Sequence, residues 1–460
     1  MLTYVKISGF KSFHNFEMEF TPFTVIAGAN ASGKSNLYDA LSLLSRLAET
    51  DLKTAFGAQR GIPTELFTLY SENAYATEMD FTVDLLLDRV VTDNWGGNEE
   101  LNHTRLRYHL IIERRLNNLQ IDDLFIKHES LEKIKPEEDK WMKNILPKGG
   151  KQIAKNLKAG GTANPYIRTE LEGNSVAIKI RQDGKQGGKA TPANTVSQTV
   201  LSASNNVDFK HVFAAKKEMI NWNFLQLNPE DLREPTRQDV GLKDVITKSG
   251  KNLAAALFRI KQADEYSLVE ISRKLNSFLP NFVEVMVIDD RANNQYMIKL
   301  KDKDKKEYTS RVLSEGTLRI LALCILEQDS KHTGLLCFEE PENGIHPSRI
   351  QAMAKLLKDL STDFSTDDVP LHQVIVNTHS PVLVNHIFSW QHDKNVTIWY
   401  AEMRNRVTDI QGKRTGLSMT NILPVVKENY TQLSFDYSEQ DKKLTLQNVK
   451  HYLETVSVEP

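Results

Sequence analysis

Cysteine is scarce in this chain: two residues, Cys324 and Cys337, in 460. Both stand in apolar surroundings, so buried, unreactive thiols are expected rather than a disulfide framework or a cysteine metal site, in keeping with a reducing compartment. A surplus of one charge is also missing. Lysine and arginine number 58 against 60 acids, for a net charge of −2. Any affinity for nucleic acid must therefore come from a local patch. Long apolar runs are absent too. Lys6 and Lys11 interrupt the N-terminus, which has no signal-peptide core, and no stretch reaches the length of a membrane span. The expectation is a soluble, cytoplasmic protein without a membrane partner. No heptad pattern and no solenoid-type repeat is present. What remains is ordinary globular composition, 40 % hydrophobic and 26 % charged. Its length suits about three domains' worth of chain, or one large domain carrying an inserted lobe.

The most informative stretch is Gly28-Ala29-Asn30-Ala31-Ser32-Gly33-Lys34-Ser35, followed by Asn36. The apolar run Phe23–Ala27 precedes it, and Leu37, Ala40, Leu41, Leu44 and Leu47 follow at helical spacing. G-x-x-x-x-G-K-S between a strand and a helix is a phosphate-binding loop. Gly28 and Gly33 let the backbone curl so that its N–H groups converge on an anion, with the helix's positive end aimed at the same point. Lys34 reaches the outer phosphates and the Ser35 hydroxyl takes one place on Mg²⁺. Asn30, Ser32 and Asn36 complete the expected nucleotide contacts. The cofactors so implied are ATP and Mg²⁺.

Ahead of the loop, residues 1–27 alternate like a strand meander against which an adenine can lie. Its first turn, Gly9–Phe13, carries Lys11, read either as a phosphate contact or as a solvated turn lysine. Met79–Leu87 and Arg105–Glu113 read as half-buried strands. Residues 141–190 hold ten lysines or arginines against three acids, a net of +7, punctuated by three Gly-Gly pairs. Such a segment is either a phosphate-facing surface, here duplex DNA, or solvated chain. Amphipathic helices are expected over 252–277 and 349–360, and a hairpin over Val283–Ile288 and Gln295–Leu300. Asp302 and Asp304 mark a solvated turn, since the lysines around them spoil a calcium loop.

Ser314-Glu315-Gly316 opens an apolar helix and offers a hydroxyl and N–H groups to an anion. Gly334–Phe338 is a buried-strand pattern that stops at Glu339 and Glu340. Carboxylates at the carboxyl end of such a strand face the ligand edge of an α/β sheet. Glu339 is expected to hold Mg²⁺ and Glu340 to deprotonate the attacking water. A third apolar strand, Gln373–Thr378, ends at His379, placed to reach the γ-phosphate. A final strand, Val396–Tyr400, is expected to close the sheet.

In this order the motifs resemble the ABC-type ATPase heads of the RecF/SMC/OLD group, and among them the stand-alone AAA-15/AAA-21 type found in bacterial anti-phage systems. The opening GFKSF at 9–13 is similar to SMC-type heads. The resemblance implies an α/β head with a central, mostly parallel sheet, an antiparallel β subdomain and an inserted α+β lobe. The expected division is 1–90 (phosphate-loop lobe), 91–205 (inserted lobe), 206–410 (second ATPase lobe) and 411–460 (tail). It further implies a homodimer with ATP at the interface, Ser314 and Gly316 of one copy covering the γ-phosphate held by Lys34 of the other. His379 takes the switch-histidine role and Pro341–Pro347 lies at the interface; assembly beyond the dimer is left open. Two residues depart from the pattern: Glu315 where transporters carry glycine, and Glu339 where aspartate is usual. The sequence does not place a Q-loop glutamine. About 80 residues follow His379, with Asp436, Glu439, Asp441 and Glu454 but no strand ending in Asp-x-Asp. The chain is therefore not expected to cut DNA by itself. The resemblance favours an ATP-driven switch controlling a separately encoded effector, a nuclease or toxin, in phage defence. A RecF-like DNA-repair ATPase is the alternative.

Overall fold

The computed structural model of the chain describes residues 1–71, 74–93, 96–116, 122–145, 164–172, 175–182, 189–192, 197–204, 207–238, 244–329, 331, 334–364, 371–410, 413–425 and 439–454. Along the chain, β1 (Leu2–Ser8) and β2 (Phe16–Glu19) lead into β3 (Phe23–Ala27), the phosphate loop and α1 (Lys34–Leu47). Then come β4 (Glu78–Leu86), β5 (Arg105–Leu116), β6 (Asp122–Lys133), β7 (Ile167–Glu172), β8 (Ser175–Ile180) and β9 (Lys189–Pro192). The second half begins with β10 (Asn223–Leu225), α2 (Leu253–Ala263), α3 (Tyr266–Phe278), β11 (Phe282–Asp290) and β12 (Gln295–Asp302). It continues through α4 (Glu315–Glu327), β13 (Gly334–Glu339), α5 (Pro347–Asp359), β14 (His372–Thr378) and α6 (Pro381–Phe388). It ends with β15 (Val396–Ile410), β16 (Lys413–Pro424) and α7 (Glu439–Glu454).

Two sheets dominate. An antiparallel sheet of eight strands has the order β9-β8-β7-β6-β5-β4-β1-β2. A six-stranded sheet has the order β10-β13-β14-β3-β15-β16, parallel except for its last pair. The parallel strands are buried on both faces, which is why they read as unbroken apolar runs. Leu335, Cys337 and Ile375 join the core that holds Leu37, Leu41 and Leu44 of α1. Their neighbours Leu336, Phe338, Val374 and Val376 join the opposite core with Leu318, Ile325, Met353 and Leu357. Truncating a side chain such as Phe338 costs about 3–5 kcal/mol. The two cysteines fall in different cores, both buried and free, and burial pushes the Cys324 thiol up to about 12.

Several expectations are corrected. β15 does not close the sheet. It runs on to Ile410 and β16 pairs along its outer side, from Trp399↔Pro424 to Ile410↔Lys413. That hairpin crosses the boundary expected at 410, as the β4–β5 pairing joins segments either side of residue 90. The helix expected over 252–277 is two. Asp264 adopts an extended conformation after α2, and its carboxylate accepts the Tyr266 N–H and the Ser267 hydroxyl. A short carboxylate serves the start of a helix better than its interior. The 283–300 hairpin forms as expected, from Asp290↔Gln295 outward. Lys148, Lys151, Lys155 and Lys158, the three Gly-Gly pairs and Asp436 lie outside the described residues.

Candidate nucleotide site

The phosphate loop leaves β3 at Gly28, which has φ +155°. A β-carbon there would stand 2.4 Å from the carbonyl oxygen of Ala401 on β15. Gly33 begins α1 at φ +87° and gives the helix no side-chain cap, so its first N–H groups are left for an anion. Lys34 is 6 % exposed. Its Nζ donates to Gly28 O and Ala29 O, both at 2.7 Å, and to Ser32 Oγ at 3.3 Å. Burial pushes the Lys34 ammonium down from its usual range, and the carboxylates of Glu340, Glu342 and Glu339 pull it back up. Asn30 is exposed on the loop's crown. Asn36 Nδ2 donates to Ser12 Oγ at 2.7 Å, and Ser12 Oγ lies 2.6 Å from Thr420 Oγ1. The phosphate loop is thus braced from one side by the GFKSF turn and from the other by the β15–β16 hairpin.

Lys11 is not a solvated turn lysine: its Nζ lies 2.7 Å from Asp39 Oδ2, one turn along α1 from Ser35. Arg60 shares that carboxylate at 3.0 Å. The structure brings Ser35 Oγ to Glu339 Oε1 at 2.8 Å, a hydroxyl and a carboxylate set side by side at the end of β13. An oxygen pair of this kind fits Mg²⁺, which takes one or two protein oxygens and otherwise phosphate and water.

Glu340 turns the chain out of β13 at φ +49°, held by its N–H on Asn377 O at 2.8 Å. Its Oε1 lies 2.8 Å from His379 Nδ1, and its Oε2 accepts Asn343 Nδ2 at 2.8 Å. Glu342, 7 % exposed, accepts the Thr378 hydroxyl at 2.5 Å. Its Oε2 is buried and finds no donor among the described residues. Burial pushes the Glu342 carboxyl above the usual range. Ser314 caps α4 by accepting the Thr317 N–H at 3.3 Å. Gly316 abuts the turn after Glu340, where a β-carbon would meet Gly344 O at 2.5 Å.

Gln226 escaped the sequence reading. β10 pairs in parallel with β13 through Leu225↔Phe338, so Gln226 leaves the sheet beside Glu339. Gln226, Ser35 and Glu339 line one cleft of about 140 Å³, with Arg46 and Lys248 at its walls. A strand of three residues carries no readable periodicity; the signal was a polar side chain directly after Phe224-Leu225. A second cleft, of about 310 Å³, opens between β2 and the hairpin, lined by His14, Asn15, Arg404, Arg406 and Thr420. It adjoins the phosphate loop through Thr420, which stands against Gly33.

Several solved structures are similar to the chain at low identity. One is an SmcHead bound to the C-winged helix domain of ScpA: 16 % identity, covering 92 % of this chain and 98 % of that chain, with a TM-score of 0.46. Another is the SMC head domain from Thermotoga maritima: 12 % identity, 93 % and 99 % covered, TM-score 0.37. A third is an Smc head domain with an extended coiled coil, bound to the C-terminal domain of ScpA derived from Pyrococcus furiosus: 13 % identity, 99 % of each chain, TM-score 0.41. No curated protein sequence matches the chain. A family model does, over residues 23–385: the AAA domain described as a putative AbiEii toxin of a type IV toxin–antitoxin system. That span starts on the first residue of β3, ends within α6 after His379, and takes in well over half of the sequence. The chain belongs to this AAA-domain family.

Proposed function

We propose that the chain binds ATP with Mg²⁺ and hydrolyses it at a composite site between two copies of itself. Gly28, Asn30, Ser32, Gly33, Lys34, Ser35 and Asn36 hold the phosphates, with Lys11 reaching the same end of α1 through Asp39. Ser35 and Glu339 would hold Mg²⁺, which when bound offsets the charge of the phosphate oxygens. The base is Glu340. A water oxygen forms a bond to the γ-phosphorus as the bond to the bridging oxygen breaks, Glu340 takes the water's proton, and ADP and phosphate result. His379 orients Glu340 and faces the γ-phosphate. Ser314 and Gly316 cover the nucleotide of the second copy.

The observation that carries this reading is the contact between Glu340 and His379, 2.8 Å apart at the end of β13, beside the Ser35–Glu339 pair. Glu340→Gln should retain ATP binding, lose turnover and accumulate as an ATP-bound dimer. Hydrolysis at the wild-type rate in that variant would overturn the assignment of the base.

The biological role follows from the same logic. A head that closes on ATP, with no nuclease motif recognised in its sequence, is suited to switching a separately encoded effector, a nuclease or toxin, in phage defence. The family's description, a putative toxin of a type IV toxin–antitoxin system, supports a second component acting with the chain. No helix among the described residues is long and apolar enough to cross a membrane. A pull-down of tagged Glu340→Gln from its host with ATP tests the role: a stoichiometric effector protein supports it. Duplex DNA without such a protein would favour the repair ATPase. Of the basic segment, Arg168, Lys179 and Arg181 gather on Glu170, which leaves less of their charge for a phosphate backbone.

A further inference from the structure

Both oxygens of Glu340 are already engaged. With the proton on Nδ1, His379 donates to Oε1, and Asn343 donates to Oε2, each at 2.8 Å. Each oxygen keeps a second lone pair, but an attacking water must approach it past the donor already in place. The two donors differ in kind. His379 sits at the end of β14, a strand in the middle of the sheet. Asn343 belongs to the turn that Glu340 itself begins, closed by the Asn343 N–H on Glu340 O at 3.2 Å. That turn is strained where it begins, with Glu340 at φ +49°, and ends on Gly344 at φ +72°, which glycine adopts freely. A left-handed conformation costs a non-glycine residue about 1–2 kcal/mol, so Glu340 keeps it only while its surroundings impose it.

The surroundings include the first turn of α4. Gly316 approaches so closely that a β-carbon would stand 2.5 Å from Gly344 O, and a β-carbon on Gly344 would stand 2.6 Å from Glu315 Cδ. The Glu315 carboxylate is itself held by Arg319 at 2.9 Å. A shift of the α4 terminus therefore presses on Gly344, the residue next to Asn343. Ser314 and Val312 at that terminus are exposed, Val312 by 70 %, and available to a second copy.

We propose that Asn343 is a positioning residue that holds Glu340 idle in the lone chain and lets go when a second copy seats on the α4 terminus. The proposal rests on the ATPase reading and adds how its base is kept silent. When Asn343 turns away, Oε2 is free to take the proton of the attacking water, while Oε1 stays on His379. Turnover is then tied to pairing of two chains, and ATP held by a single chain is spared.

The test is steady-state phosphate release by full-length wild type, Asn343→Ala, Asn343→Gln and Lys34→Ala across a range of protein concentrations, with unfolding temperatures measured alongside. Wild-type kcat should rise with protein concentration. Asn343→Ala should raise kcat at the lowest concentration by roughly three- to tenfold and leave KM for ATP unchanged, a split that general loosening of the fold does not produce. The longer amide of Asn343→Gln should stay nearer the wild type. Asn343→Ser, polar but too short to reach Oε2, repeats the measurement if the alanine variant is unfolded. Lys34-dependent turnover that Asn343→Ala and Asn343→Ser leave unchanged or lower would overturn the latch and leave the ATPase reading standing. No Lys34-dependent phosphate release from any variant would overturn both.

Discussion

Thr420 stands where a side chain on Gly33 would have to go. A β-carbon on Gly33 would lie 1.8 Å from Thr420 Oγ1, and the helix start there has φ +87°. Gly33→Ala therefore meets two penalties at once, the left-handed backbone, about 1–2 kcal/mol, and displacement of the hairpin. We expect ATP affinity to fall at least about tenfold on isothermal titration, since losing about 1.4 kcal/mol is enough. Adding Thr420→Gly should recover only the steric part.

Lys34 spends its ammonium on the loop's own carbonyls, and ATP must draw it away. At about 100 times Kd, ATP should stabilise the wild type by about 2.7 kcal/mol through mass action alone. Lys34→Ala should unfold at the same temperature with and without ATP in a thermal melt. A shift like that of the wild type would show that the loop binds without its lysine.

Gln226 shares its cleft with Ser35 and Glu339. Gln226→Ala should lower kcat for ATP roughly tenfold and change KM by less than about twofold, because the side chain faces the reacting end of the site rather than the base. A rise in KM at constant kcat would instead place it among simple binding contacts.

Glu129 on β6 is fully buried, and its carboxylate accepts the N–H groups of Val200 at 2.7 Å and Leu201 at 2.9 Å. Burial pushes it from 4.5 up to about 7. The unfolded chain releases this proton near 4.5 while the folded chain keeps it to about 7. Its contribution is thus fully present below about 4.5 and lost as the pH rises through about 7. At about 1.4 kcal/mol per pH unit, the loss amounts to about 3 kcal/mol. In urea unfolding, wild type should lose stability relative to Glu129→Gln over that interval and hold a constant difference above it. A difference that does not vary with pH would refute the titration.

The parts of the site legible in the sequence are those whose chemistry sits within one strand–loop–helix segment. Gly28–Ser35 announces itself because glycines, lysine and serine follow one another between an apolar strand and a helix. Glu339, Glu340 and His379 stand out in the sequence because parallel strands are apolar along their length and polar only at the ligand edge. Thr420 was not found, for its meaning lies in contact with Gly33 and Ser12, each roughly 400 residues away along the chain. The outer half of β15 was missed for a related reason. Glu402, Arg404 and Arg406 interrupt any apolar pattern there, because that half pairs with β16 alone and not with β3.

β3, which carries the phosphate loop, lies between β14 and β15, whose pairing residues follow it by roughly 350 positions. On the ribosome the phosphate loop is thus made early but has no partner strand on either side until nearly the whole sequence has emerged. Such distant pairing makes folding slow and leaves an apolar strand uncovered during synthesis. The arrangement also acts as a completeness check: a nascent or truncated chain ending before residue 372 has the entire Gly28–Ser35 sequence and no sheet to hold it in shape.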